Sequence, residues 1–392
     1  MRKYIFLIVF PLLLTAQSLE EVLNIAFENS LSLQKHKALV ELADKDIKLS
    51  DKLENPKLKM GINDILLSKV FDRGLEPMQS EYIAISQKLP LNSKLKIKRD
   101  ISKIEHHIER IEYLNQKLKL AKRVKDSFIK LSFLDRDIKL VREYKKLLKE
   151  IENLHKIYNF SSNTHYRAII NSRVLLNNIK LKEIYLKESF EIESLKLNRE
   201  ANYNFKKFKF NKNSDFSFED LDFRKNIDLI KAKEELNREQ KRHLFAKKDK
   251  IPDVNIALAY NQRESRENYL SFSLTIPLNI YDRENIQVAK ALDKVVVKSK
   301  NLNDLKLELE SKKRELLVKL EATLKEIELL REIVEFNREL LNTLKNSIEV
   351  KNSLDDIYSV LKELFELDFK LNSKRVEFLL NKNELDLLYG RY

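Results

Sequence analysis

The chain has 392 residues with only 3 Gly and 6 Pro, no Cys, 35% charged residues and a formal net charge of +14. So few turn formers demand long elements, as in amphipathic helices rather than compact enzymes. The missing cysteine excludes thiol catalysis, disulfides, Cys-based metal sites and a lipid-anchored N-terminus.

Arg2 and Lys3 precede an apolar run from Tyr4 to Leu14, and Ala16-Gln-Ser18 supplies small residues for cleavage. This predicts a secretory signal peptide over 1–18, because the run is too short for a membrane span. Leu19 to Leu53 is expected to form one helix, with Leu23, Ala26, Phe27, Leu31, Leu33 and Leu39 near the 3.6 period and Pro56 marking its end.

Two pairs of alternating segments are the clearest strand signals. Leu58, Met60 and Ile62 alternate with polar residues, and after a loop Ile83 and Ile85 alternate with Ala84 and Ser86. The pattern returns at Val254, Ile256 and Leu258, and again at Leu270, Phe272, Leu274 and Ile276. Each strand therefore has one apolar face and one small or polar face. Each pair ends in a Pro-Leu-Asn corner, at Pro90 and at Pro277.

A long helix is expected after each corner, over 93–157 and 283–350. Part of the second keeps a heptad at Leu320, Ile327, Val334, Leu341 and Ile348. Leu316, Leu330 and Leu344 fill the companion positions, with Thr323 and Asn337 as polar exceptions. Polar breaks, Asn159 to Thr164 and Lys351 to Ser353, lead to return helices over 165–199 and 354–388. The chain thus reads as a first repeat over 19–200 with its strand pair at 56–90, a polar irregular bridge over 201–220, and a second repeat over 221–392. The second repeat has its strand pair at 252–277, preceded by a helix from about Leu221 to Lys248.

Strands with a continuous apolar face need a partner, and the flanking helices are too polar and long to fold back as a lid. A transmembrane barrel wall accepts one apolar and one polar face. It must close, because open edges in lipid leave backbone groups unpaired. Four strands cannot close, so several chains must contribute: two would give eight strands, three would give twelve. The small or polar inner face favours an open lumen and hence three chains.

At this point the chain resembles the TolC-type outer-membrane efflux proteins, or outer-membrane factors. The resemblance rests on Leu19-Glu-Glu-Val-Leu-Asn-Ile-Ala-Phe-Glu-Asn29, Asn55-Pro56, both Pro-Leu-Asn corners and Leu388-Tyr-Gly-Arg-Tyr392, in that order across two repeats. It implies a mainly α fold with a small β part. Long helical hairpins would form a periplasmic α-barrel, and four strands per chain would join a homotrimeric 12-stranded barrel in outer-membrane lipid. It also implies a passive duct of a tripartite efflux or type I secretion system, docked through a periplasmic adaptor to an inner-membrane transporter. The family's acidic periplasmic gate maps onto Asp356, with Asp355 beside it. The next acidic position falls on Ser359, and the first-repeat equivalent of Asp356 is Arg167. Asp355 and Asp356 equally suit a helix N-terminus, where carboxylates are favoured.

No enzyme activity, cofactor or metal is expected. His36, His106, His107, His155, His165 and His243 lack metal-ligand spacing, and no glycine-rich phosphate loop exists. The positive balance is spread among interleaved acids, as in Lys312-Lys-Arg-Glu315, so no nucleic-acid partner is expected. The other reading is a periplasmic or surface coiled-coil scaffold or adhesin without channel activity. No residue identifies the cargo.

Overall fold

The structure, a computed structural model, describes all residues except 1–16, 71, 73, 158–162, 211–214, 265 and 347–352. Most of the expected signal peptide, the bulk of both polar breaks and the heptad position Ile348 lie outside the described residues.

The fold is mainly helical with one small sheet. In chain order the elements are α1 (Leu19–Asn29), α2 (Leu31–Ser50), β1 (Lys57–Asn63), β2 (Ser80–Leu89), α3 (Lys94–Ile157), α4 (Asn163–Ala201), α5 (Ile227–Asp249), β3 (Val254–Gln262), β4 (Tyr269–Thr275), α6 (Arg283–Asn346) and α7 (Ser353–Leu388). A strand pair, a long helix and a return helix therefore occur twice, and α3 and α6 each have 64 residues.

The single helix expected over 19–53 is instead two. Ser18 and Glu21 form a reciprocal capping box that starts α1. At Ser30 the backbone turns extended, with ψ 115°, and the helix restarts at Leu31. The apolar period runs through this break, so periodicity alone could not locate it. A second difference lies before α5, which begins at Ile227 rather than near Leu221, behind a 3-10 turn at Phe223–Lys225.

By their packing the residues fall into two units. The helical unit comprises 1–34, 114–226 and 307–392. Its core is built from α3, α4, α6 and α7, and α6 buries Leu316, Leu320, Ile327, Leu330, Val334 and Leu341 along the heptad seam. Thr323, a polar member of that seam, donates its hydroxyl to the Lys319 carbonyl at 2.7 Å, so its burial leaves no orphan. The described residues of the bridge, 202–210 and 215–220, are irregular yet anchored by phenylalanines. Phe208 and Phe210 meet Phe128 of α3 edge-on, and Phe216 and Phe218 pack on the fully buried Phe378 of α7. Near the C-terminus Gly390 has φ +72°, and a Cβ there would sit 2.6 Å from the Lys225 carbonyl oxygen. Only glycine fits that turn without strain.

The sheet-bearing unit comprises 35–113 and 227–306. Its sheet is antiparallel in the order β1-β2-β3-β4, so β1 and β4 are its edges.

Candidate functional site

The register sorts the sheet into rows. Leu58, Ile85, Leu258 and Phe272 pair across all four strands, and so do Met60, Ile83, Tyr260 and Leu270. Ile256 faces Leu274 in the next row. Because opposite residues in a pair share a face, these form one continuous apolar surface. It is exposed: Met60 is 71% accessible, Leu270 68% and Phe272 69%. Of the expected lipid-facing set, Ile62 lies at the far end beside Glu81. Val254 pairs with Leu89, and Ile276 lies one residue beyond the end of β4. Val254 and Ile256 are half-buried rather than exposed. A sheet face this apolar and this open matches a hydrocarbon phase better than water.

The opposite face has different rows. Lys57 pairs with Ser86, then Ala257 and Ser273; Lys59 pairs with Ala84, then Ala259 and Ser271. Here the polar groups bond across strands: Asn261 donates to the Ser271 hydroxyl at 2.9 Å, and Asn63 to that of Ser80 at 3.2 Å. Gly61 belongs to this face, and a Cβ at that position would lie 2.8 Å from the Tyr82 ring. The missing side chain lets the tyrosine lie across β1.

Pro90 directly follows β2 and Pro277 lies two residues beyond β4, and each corner is locked in the same manner. Asn92, two residues after Pro90, donates its amide to the Lys248 carbonyl at 3.4 Å. Asn279, two residues after Pro277, donates to the Lys250 carbonyl at 2.5 Å. Left-handed residues then aim the chain into the long helices: Asn92 and Ser93 before α3, and Asp282 before α6.

Under the corners lies an ionic cluster that sequence reasoning missed. Lys94, with 3% of its side chain accessible, contacts Asp253 at 2.6 Å and Asp249 at 2.9 Å. Lys88 reaches the other oxygen of Asp253 at 3.3 Å and Glu54 at 3.5 Å. Asp253 directly before β3 and Lys94 directly after a corner were the only hints, and neither identifies its partner.

The candidate gate residues Asp355 and Asp356 stand in the first turn of α7. Asp355 accepts from the Asn171 amide of α4 at 3.2 Å, while Asp356 is exposed. Arg167, the first-repeat equivalent, is exposed on α4. The turn preceding α7 is outside the described residues.

Elsewhere in the helical unit, buried Asp368 of α7 accepts from the Tyr144 hydroxyl of α3 at 2.7 Å and from Arg338 of α6 at 3.0 Å. Burial, then Asp368, pushes the Tyr144 hydroxyl well above its ordinary value, so it remains a donor. Two exposed apolar stripes also stand unpartnered: Leu181, Ile184, Ile192 and Leu195 on α4, and Leu329, Ile333, Phe336 and Leu340 on α6.

No protein-family model matches the sequence, and no curated protein matches it in sequence. Solved structures do match the fold. The open-state MtrE outer membrane channel of Neisseria gonorrhoeae aligns with TM-score 0.78 at 14% identity, over 95% of this chain and 89% of that one. The outer membrane protein VceC of Vibrio cholerae aligns with TM-score 0.75 at 13% identity, over 95% of each chain. The CmeC outer membrane channel of Campylobacter jejuni aligns with TM-score 0.73 at 12% identity, over 95% of this chain and 85% of that one. The chain thus has the fold of these outer-membrane proteins along nearly its whole length.

Proposed function

We propose that the chain is one subunit of a homotrimeric outer-membrane duct that carries solutes from periplasm to exterior. One observation carries this reading: a four-stranded sheet with free β1 and β4 edges and an exposed apolar face. In lipid such edges must pair, and β1 of one copy beside β4 of the next satisfies both. Three copies make a twelve-stranded barrel, large enough to leave a lumen behind the small-residue face. The exposed stripes on α4 and α6 supply apolar surface for the same assembly. The fold shared with MtrE, CmeC and VceC supports the outer-membrane location. A periplasmic adaptor and an inner-membrane transporter complete the proposed pump. In this proposal Asp355 and Asp356, in the first turn of α7, stand at its periplasmic mouth, where carboxylates suit the helix N-terminus and face incoming solute.

The test is fractionation followed by reconstitution. The duct reading expects a heat-resistant trimer, released from outer membranes only by detergent, that conducts in planar bilayers. Release of a non-conducting protein without detergent would instead establish the scaffold reading. For the mouth, Asp356→Asn should weaken block by multivalent cations; unchanged block refutes a gating role and leaves the helix cap.

A further inference from the structure

We propose that the polar face of the sheet is an anion-attracting wall, a stretch of the duct that favours anions over cations. This rests on the duct reading above, which makes that face the lumen. The strands place three charged side chains on it, Lys57, Lys59 and Lys88, and no carboxylate. Lys88 contacts Glu54 and Asp253, and Lys94 contacts Asp249 and Asp253, so three carboxylates hold these two lysines and leave one negative charge in excess at the corner. Lys57 and Lys59 are exposed and have no ion pair among the described residues. They border a hollow of about 460 Å³ whose wall includes Ser86, Asn255 and Thr275. Of the carboxylates around that hollow, three are the partners just named, and the fourth is Glu284, at the start of α6 rather than on a strand.

Small neighbours matter as much as the lysines. Ser86 and Ala257 beside Lys57, and Ala84 and Ala259 beside Lys59, leave the ammonium groups unscreened by bulky side chains. Twelve strands about 4.8 Å apart, tilted about 40°, give a backbone radius of about 12 Å. A lysine stem pointing inward brings its charge closer to the axis than the Debye length, about 8–10 Å in physiological salt. Two lysines from each of three chains then form a ring whose field reaches every passing ion, focused by the low-dielectric wall. Anionic solutes concentrate there, and cationic ones are opposed.

The full chain, purified as the trimer and reconstituted in planar bilayers under a potassium chloride gradient, tests this. Lys57→Gln/Lys59→Gln should lower the chloride-to-potassium permeability ratio at least about twofold, while Lys57→Arg/Lys59→Arg keeps the wild-type ratio. Tripolyphosphate should block the wild-type channel and block the glutamine variant more weakly. A conducting channel whose ratio and tripolyphosphate block are the same in wild type and glutamine variant overturns the anion-attracting wall and leaves the duct standing. Absence of any conductance in the wild type overturns the duct, and the wall with it.

Discussion

Replacing Asp368 by alanine removes a buried carboxylate that α3, α6 and α7 share. Its side chain is 8% accessible, and it accepts from Tyr144 at 2.7 Å and from Arg338 at 3.0 and 3.2 Å. Without it the buried Tyr144 hydroxyl is orphaned, which costs about 1–3 kcal/mol. Arg338 is 55% exposed and returns to water, adding about 0–1 kcal/mol. The expected loss is therefore about 1–4 kcal/mol, read as a shift of the urea transition followed by far-UV circular dichroism in detergent. Tyr144→Phe removes the same hydroxyl and should cost about 1 kcal/mol. In the double variant no orphan is left, so the cycle should return a coupling of about 1–2 kcal/mol. A loss below about 0.5 kcal/mol for Asp368→Ala, or zero coupling, would refute the claim that this carboxylate ties the three helices.

Burial holds the Asp137 carboxyl up at about 6, above its ordinary 3.8, although the Asn372 amide at 2.6 Å opposes the rise. The folded state then binds the extra proton, so stability falls as pH rises from 3.8 to about 6 and stays lower above it. Asp137→Asn should abolish that slope in urea titrations across the window and stabilise the protein at neutral pH by roughly 2 kcal/mol, discounted for partial exposure. Lys94→Met leaves Asp253 with Lys88 alone and removes the Asp249 contact, and should cost about 1–3 kcal/mol; a urea midpoint equal to that of the wild type would count against the ionic cluster. Phe272→Arg places a charge in the middle of the apolar face and should cost about 2–4 kcal/mol in lipid, whereas Ser271→Arg faces the other way. Equal yields of heat-resistant trimer from the two variants would show that the faces are assigned wrongly.

Much of this architecture is legible in the sequence because it is periodic. A strand's side chains alternate every residue, so Leu58, Met60, Ile83, Ile85, Leu270 and Phe272 declare their shared face before any pairing is known. The α6 seam is equally plain, since apolar residues seven apart must fall on one stripe. Breaks in a period are harder to find. Ser30 interrupts a helix whose apolar spacing continues undisturbed, and the bridge hides Phe208, Phe210, Phe216 and Phe218 among polar neighbours, although they anchor it to α3 and α7.

The candidate sites divide along the same line. Alternation identified the apolar face, and composition showed that its reverse is small and polar. The partners of Lys94 and the acceptor of Tyr144 could not be read, because the residues concerned lie 159 and 224 positions apart. Local pattern reports which way a side chain points along its own element, since helix and strand periods are properties of the backbone. Which charge neutralises which depends on how distant segments meet. Tertiary structure alone therefore decided that Lys88 and Lys94 are paired while Lys57 and Lys59 have no ion pair among the described residues.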